Sequence, residues 1–153
     1  MAPTEHPNPD SQLEFLLHTV SRSLMRAYNE EFRKLGLSQS QAGVLLQVDW
    51  ADARTQTAIA RRLGIQKAAA GATIIELEER GWLKRRRNPN DARMIEVTLT
   101  AAGRKKVKQI NDFAARLGPM VRDGIDDADM EQAMGVLRRL RANAEAMEID
   151  GED

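Results

Sequence analysis

The sequence predicts a mainly α-helical chain with one small β-hairpin. Three observations carry this. Apolar residues recur every three or four positions through most of the chain, as on one face of a helix. Strict alternation is confined to one stretch, where Ile95, Val97 and Leu99 are separated by Glu96 and Thr98. Gly36, Gly64 and Gly81 stand where helices of ordinary length would end. At 153 residues the chain is long enough for one domain with a real core. Aromatics are only 4%, so that core has to be built from Leu, Ile, Val, Ala and Met.

Residues 1–10 hold three of the five prolines and no apolar periodicity, and read as a disordered tail. Leu13, Leu17, Val20, Leu24 and Ala27 then step by four and three, and Phe32 and Leu35 continue the stripe to Gly36. This first helix is about twice the usual length of ~11–12 residues, which suggests a role beyond covering a small core. Ser38 and Gln41 have the spacing of a capping box at the head of a second helix, with Val44, Leu45 and Val48 inward. Thr55 is placed to cap a third helix, whose inward face is Ile59, Ala60 and Leu63. Gly64 makes the turn, and Ile65 is expected to plug the space before the fourth helix. That helix spans about Lys67 to Arg80, with Ile74 and Leu77 inward, Ala70 or Ile75 on its edges, and Gly81 just past its end.

Trp82 to Arg87 and Met94 to Leu99 read as two strands, the second with Glu96 and Thr98 facing out. NPNDAR between them is turn chemistry. Thr100 can cap a fifth helix over about Ala101–Gly118, with a seam of Val107, Ile110, Ala114, Leu117 and Val121. Gly118-Pro119 should break or kink it. Asp126, Asp127 and Asp129 then favour a helix start, and Met130, Met134, Leu137, Leu140, Ala144 and Met147 stripe the last helix before a frayed acidic end.

Composition excludes several chemistries. The absence of cysteine removes disulfides, thiolate metal sites and a cysteine nucleophile. His6 and His18 are the sole histidines, too few for a transition-metal site without cysteine. No phosphate-binding loop, dinucleotide loop or zinc motif is present, so no catalytic residue, cofactor or metal is expected. No apolar run is long enough to span a bilayer, and the first residues lack the pattern of a secretory signal, which makes the cytoplasm the expected location. The formal net charge of zero hides a strong asymmetry. Residues 54–108 carry 14 Lys+Arg against 5 Asp+Glu, a net +9, whereas 109–153 are net −6 and 1–53 net −3. A cationic middle with anionic flanks is expected where one part of a chain meets a polyanion.

Helix, tight turn, helix and hairpin over Thr55–Gly103 follow the order of a winged helix-turn-helix. In that arrangement the second helix enters the major groove. Its first residues are Gln66, Lys67, Ala68 and Ala69, with Ala72 and Thr73 one turn on. Gln66 suits adenine, Lys67 suits guanine or a phosphate, and the alanines and Thr73 suit a thymine methyl. Alanines are also plain helix formers, which is the competing reading. Arg85, Arg86 and Arg87 alternate along the strand and offer phosphate contacts, or form only a solvated basic strand. Arg93 ends the loop after Asn90 and Asp91, where a narrow minor groove attracts an arginine. Asp91 could steady its guanidinium.

The segments LSQSQAGVLLQV, TQTAIARRLGI, IIELEERGWLKR and NPNDARMIEVTLTAAG resemble the MarR/SlyA family of bacterial winged-helix regulators. The last segment carries the family's Asp-x-Arg wing and following Leu-Thr-x-x-Gly, here Asp91, Arg93, Leu99, Thr100 and Gly103. The likeness in element order covers roughly 12–147. It implies a homodimer that binds pseudo-palindromic double-stranded DNA in the bacterial cytoplasm, associated with the nucleoid. It also implies repression relieved by a small anionic or phenolic effector. The implied organisation is a helical dimerisation region, 11–36 and 101–150, around a DNA-binding domain, 37–100. Carried over by position, Thr55 and Gln56 touch phosphates, Lys67, Ala69 and Thr73 the major groove, and Arg93 the minor groove. His18 and Arg22, one turn apart, fall where relatives hold a carboxylate ligand; an ion pair for Arg22 is the alternative. Ala72 and Ala42-Gly43 depart from the polar and aromatic residues often found at those positions. A second function class shares every DNA residue: an architectural or antisilencing DNA-binding protein with no physiological ligand.

Overall fold

A computed structural model of the chain describes residues 12–50, 55–91 and 93–149. The expected tail at 1–10, the acidic end at 150–153, and Arg54 and Ala92 lie outside the described residues. Six helices and one hairpin follow in order: α1 Leu13–Lys34, α2 Gln39–Trp50, α3 Gln56–Leu63, α4 Lys67–Glu79, β1 Leu83–Arg87, β2 Ile95–Leu99, α5 Ala101–Val121 and α6 Asp127–Ile149. The strands pair antiparallel, with Leu83 opposite Leu99 and Arg87 opposite Ile95. The described residues fall into two compact units, which meet in sequence at Phe113 and Ala114.

The first unit carries the core. Val44, Leu45 and Val48 of α2, Ile59 of α3, Ile74 and Leu77 of α4, Val97 of β2 and Ile110 of α5 are fully enclosed. Tyr28 stacks near Phe32 and meets the Phe113 ring edge-on, its ring centroid 5.3 Å away, so α1 is joined to α5 by aromatic contact. The caps expected from sequence form. The Gln41 N–H donates to Ser38 Oγ and the Ser38 N–H to Gln41 Oε1, both at 3.1 Å. Ala58 N–H donates to Thr55 Oγ1, and Gly103 N–H to Thr100 Oγ1. In the second unit, Asp126 Oδ1 accepts the Asp129 N–H at 2.7 Å at the head of α6.

Several expectations are corrected. Ile65 is 36% exposed and does not plug the space between α3 and α4. Gly64 is left-handed, at φ 63°, and the Ile65 N–H turns back to the Ala60 carbonyl, which directs its side chain outward. The helices close on small residues instead: Ala60, Ala70 and Gly71 are buried. Ala70 is therefore a core residue, while Ile75 stays at the edge. Trp82 and Met94 fall just outside the strands. Thr98, expected to face out, is buried, because the end of α2 packs on β2 and covers that face of the strand. Ile95, expected inward, is 54% exposed because it lies beyond the reach of the core. Helix α5 does not stop at Gly118 but continues through Pro119 to Val121. Gly118 lacks the Cβ that a following proline ring would crowd, so the α conformation is open to the residue before Pro119.

The tightest point is the turn after α4. Gly81 is left-handed, at φ 70°, and the N–H groups of Gly81 and Trp82 close back on Glu78 and Leu77. The Trp82 carbonyl then accepts the Thr100 N–H at 3.0 Å, while the Thr100 hydroxyl donates to the Gly81 carbonyl at 2.7 Å and lies 3.2 Å from the Trp82 carbonyl. Gly103 lies directly against that carbonyl, where a Cβ would overlap the oxygen. Alanine is worth up to ~1 kcal/mol more than glycine in an unhindered helix, so the sign of a Gly103→Ala change is decisive. We expect Gly103→Ala to lose about 2–3 kcal/mol, a melting temperature lower by roughly 5–10 °C. A variant melting at or above the wild-type temperature contradicts the close approach.

Candidate nucleic-acid interface

The recognition-helix candidates are presented as a surface. Gln66, Lys67, Ala68, Ala69 and Ala72 are all exposed at or near the head of α4. Gln66 occupies the N-cap position without a side-chain cap bond, so its amide is uncommitted. Thr73 differs: its hydroxyl donates to the Ala69 carbonyl at 3.1 Å, which leaves its methyl as the outward group. That agrees with an apolar contact rather than a hydrogen bond to a base.

Gln56 has a task that its sequence position did not reveal. Its Nε2 donates to the Lys67 carbonyl at 2.9 Å, from the first turn of α3 to the first turn of α4. Gly71 makes room for it, since a Cβ there would come within 2.5 Å of Gln56 Nε2. One amide hydrogen of Gln56 remains for a phosphate. Thr55 is likewise occupied as an acceptor by its cap bond, and its O–H can still donate.

The wing arginines divide into two kinds. Arg86 pairs with its cross-strand neighbour Glu96 at 3.0 Å, and Arg85 reaches Glu78 of α4 at 3.4 Å. Arg87 and Arg93 are exposed with no carboxylate partner among the described residues. Asp91 does not hold the Arg93 guanidinium as expected; it accepts the Arg93 backbone N–H at Oδ1 instead, at 3.0 Å. Asp91 therefore shapes the loop and leaves the guanidinium to reach outward. Asn88, the first residue of the NPNDAR turn, organises the rest. Its Oδ1 accepts the N–H groups of Asn90 and Asp91, and its Nδ2 donates to Glu96 Oε1 at 2.6 Å. An asparagine before Pro-Asn-Asp is the signal that could have identified it. Asn90 is exposed at the tip.

Two more cations hold the frame. Arg80 Nη1 donates to the Gly36 carbonyl and Lys106 Nζ to the Leu35 carbonyl, each at 2.7 Å. Both also lie about 5 Å from the Trp82 ring centroid, at 5.1 and 5.0 Å. The end of α1 is thus fastened to the turn between α4 and β1. His18 and Arg22 sit exposed on α1, and Arg22 has no ion pair among the described residues.

Comparison with known proteins decides the family. The MarR family model matches residues 35–94. The HTH-type transcriptional regulator YwoH of Bacillus subtilis (strain 168) is 33% identical over 99 residues, 63% of this chain and 72% of that protein. The chain belongs to the MarR family. It is a winged-helix, DNA-binding transcriptional regulator. The fold extends beyond the matched segment. The structure of CouR from Rhodococcus jostii RHA1 bound to p-coumaroyl-CoA superposes with a TM-score of 0.80 at 24% identity, over 88% of this chain and 95% of that one. The Staphylococcus aureus MepR–DNA complex gives 0.76 at 16% identity, over 90% and 99%. No helix among the described residues is long and apolar enough to cross a membrane.

The Gln56–Gly71 contact makes a double-mutant cycle informative. Gly71→Ala alone should be near neutral, because helix propensity gains about what the lost Gln56–Lys67 bond costs, roughly 1 kcal/mol each. In a Gln56→Ala background the same change should stabilise by roughly 1 kcal/mol. Urea titration of the four proteins reads the coupling; additive effects would show that Gln56 does not hold α4.

Proposed function

We propose that this MarR-family protein is a homodimeric repressor of pseudo-palindromic DNA sites, released by a small anionic or phenolic ligand. The observation that carries the reading is the combination on one wing of a rigid scaffold and two uncommitted guanidinium groups. Arg93 enters the minor groove, and Arg87 takes a phosphate, with Arg85 and Arg86 adding positive potential beside their carboxylate partners. Lys67, Gln66, Ala69 and Thr73 meet the major groove, and Thr55 and Gln56 the backbone. Asn90 and Asp91 shape the wing tip. The polyanion contacts are drawn by the +9 middle of the chain.

Residues 37–100 read DNA, and 11–36 with 101–150 dimerise. Support for dimerisation comes from the outer helices taken one by one. Helix α1 exposes Leu13, Leu16, Leu17 and Val20, and α6 exposes Met134, Leu137 and Met147. Each is an apolar row that water disfavours and a partner helix would cover. His18 and Arg22 lie on α1 beside such a row, and Arg22 is placed to pair with a carboxylate effector. The protein acts on the nucleoid in a bacterial cytoplasm.

Selection of DNA from a random pool, with and without salicylate-like carboxylates and phenols, tests this reading. A two-fold symmetric site whose enrichment falls with one of these compounds supports it; enrichment with no sequence preference and no ligand effect favours an architectural protein instead. On the selected site, Arg93→Ala should cost about 1–3 kcal/mol in a gel-shift titration, and unchanged affinity removes the minor-groove role. Deleting 126–153 should yield a monomer by sedimentation, and a truncated dimer would overturn the assigned interface.

A further inference from the structure

The wing hairpin has a second face. Arg85 and Arg87 alternate with Lys84 and Arg86, so the latter two share a side of the strand, opposite Thr98 and Glu96 respectively. On that side lies a cavity of about 290 Å³. Its walls are Lys84 and Arg86 of β1, Thr98 and Leu99 of β2, Val48 and Asp49 at the end of α2 and Arg104 in the first turn of α5. Three of the seven carry positive charge and one is a carboxylate.

The charges are not equivalent. Arg86 is answered by Glu96 at 3.0 Å. Arg104 donates from Nη1 to the Leu99 carbonyl at 3.1 Å, which steadies the guanidinium while its Nε and Nη2 hydrogens remain. Lys84 Nζ has no carboxylate partner among the described residues, and neither Lys84 nor Arg104 is paired with Asp49 there. The Thr98 side chain is buried and donates to the Lys84 carbonyl at 3.4 Å. Two exposed cations lining one concave place, with one carboxylate to offset them, form a positive site. A volume near the lower end for ligand pockets suits a small group.

We propose that this cavity is an anion site, in which Lys84 and Arg104 hold a single phosphate or small carboxylate group. The group comes either from a free small anion or from the DNA backbone, and the chemistry of recognition is the same. An occupant ties β1 and β2 to the ends of α2 and α5, so it restrains the wing that carries Arg93. That consequence rests on the regulator reading above; the binding itself does not. The site is separate from His18 and Arg22, which lie on α1.

The test uses the full chain and inorganic phosphate, added against chloride at constant ionic strength and followed by backbone amide NMR without DNA. We expect saturable shifts centred on Lys84, Thr98 and Arg104. Lys84→Gln and Arg104→Gln should each weaken the midpoint about tenfold, the loss of one charge-assisted hydrogen bond. Lys105→Gln, an exposed neighbour outside the cavity, should leave it unchanged. Lys84→Gln keeps the test valid if Arg104→Gln unfolds through loss of its Leu99 contact. Equal weakening by Lys105→Gln overturns the site. A second arm, on DNA selected by the wild type, separates the sources. If the group is a backbone phosphate, both cavity variants bind more weakly in chloride, with a salt slope lower by about one. If it is a free anion, their affinity in chloride matches wild type and phosphate alters DNA binding by the wild type alone. No saturable phosphate response, together with wild-type DNA binding by both variants, refutes the proposal. Failure of the regulator reading would show differently, as loss of sequence-selective binding by the wild type.

Discussion

The carbonyl of Trp82 is held by the backbone N–H of Thr100 and capped by the bare Cα of Gly103, while the Thr100 hydroxyl holds the Gly81 carbonyl beside it. Four elements have their positions set at this point. Helix α4 ends there through Gly81, β1 begins one residue later, β2 ends at Leu99, and α5 starts from Thr100. Above the backbone contact, the indole of Trp82 lies under Arg80 and Lys106, and these two cations satisfy the Leu35 and Gly36 carbonyls, just past the end of α1. Cations are favoured there by the helix dipole as well as by the hydrogen bond. The recognition helix, the wing and the outer helix are therefore located by one turn. The pattern Leu99-Thr100-x-x-Gly103 is the sequence trace of that turn.

The same logic separates the arginines that shape the wing from those free to leave it. Arg86 and Asn88 share the Glu96 carboxylate, one oxygen each, across two strands only five residues long. A two-stranded hairpin is marginal in water on its own. Glu96 is therefore an acid in a cationic wing because it supplies the rigidity that the pairing alone lacks. Its presence costs potential: an arginine already paired must exchange a carboxylate for a phosphate and gains little net energy. Arg87 and Arg93 face no such exchange. Among the described residues the wing thus offers fewer unpaired guanidinium groups than its sequence displays.

Much of this was legible beforehand. Element order, the capping box at Ser38 and Gln41, the caps at Thr55 and Thr100, and the inward set on α4 depend on local periodicity and hydrogen-bond chemistry, which short windows of sequence express. What was missed depends on contacts between distant residues. Ile65 was read as core by its type, whereas the direction of the chain after a left-handed Gly64 decides its exposure. Thr98 was read as outward by alternation, which holds only while one face of a strand is bare. Gly118-Pro119 reads as a break or kink, and the helix runs through it because Gly118 has no Cβ for the proline ring to crowd. Gln56 and Gly71 are fifteen positions apart and meet only when α3 and α4 pack. The partition of the wing arginines was equally hidden, because strand register, not composition, places Glu96 opposite Arg86.

The link between the two ends of α1 gives these local facts a common consequence. A helix of 22 residues is roughly 33 Å long. Its first half carries the exposed apolar row together with His18 and Arg22, and its last turn is fastened to the Trp82 turn. A packed helix moves as a rod rather than bending freely, so a tilt of ~5° about one end displaces the other by ~3 Å. The clasp at Trp82 passes such a displacement to α4 and the hairpin together, since both are joined to it through the backbone. The recognition helix and the wing then shift as one body and keep their own geometry. In the proposed dimer, a change at the far end of α1 would alter where the proposed reading surface stands without altering the surface, and the quantity that would change is the spacing between its two copies.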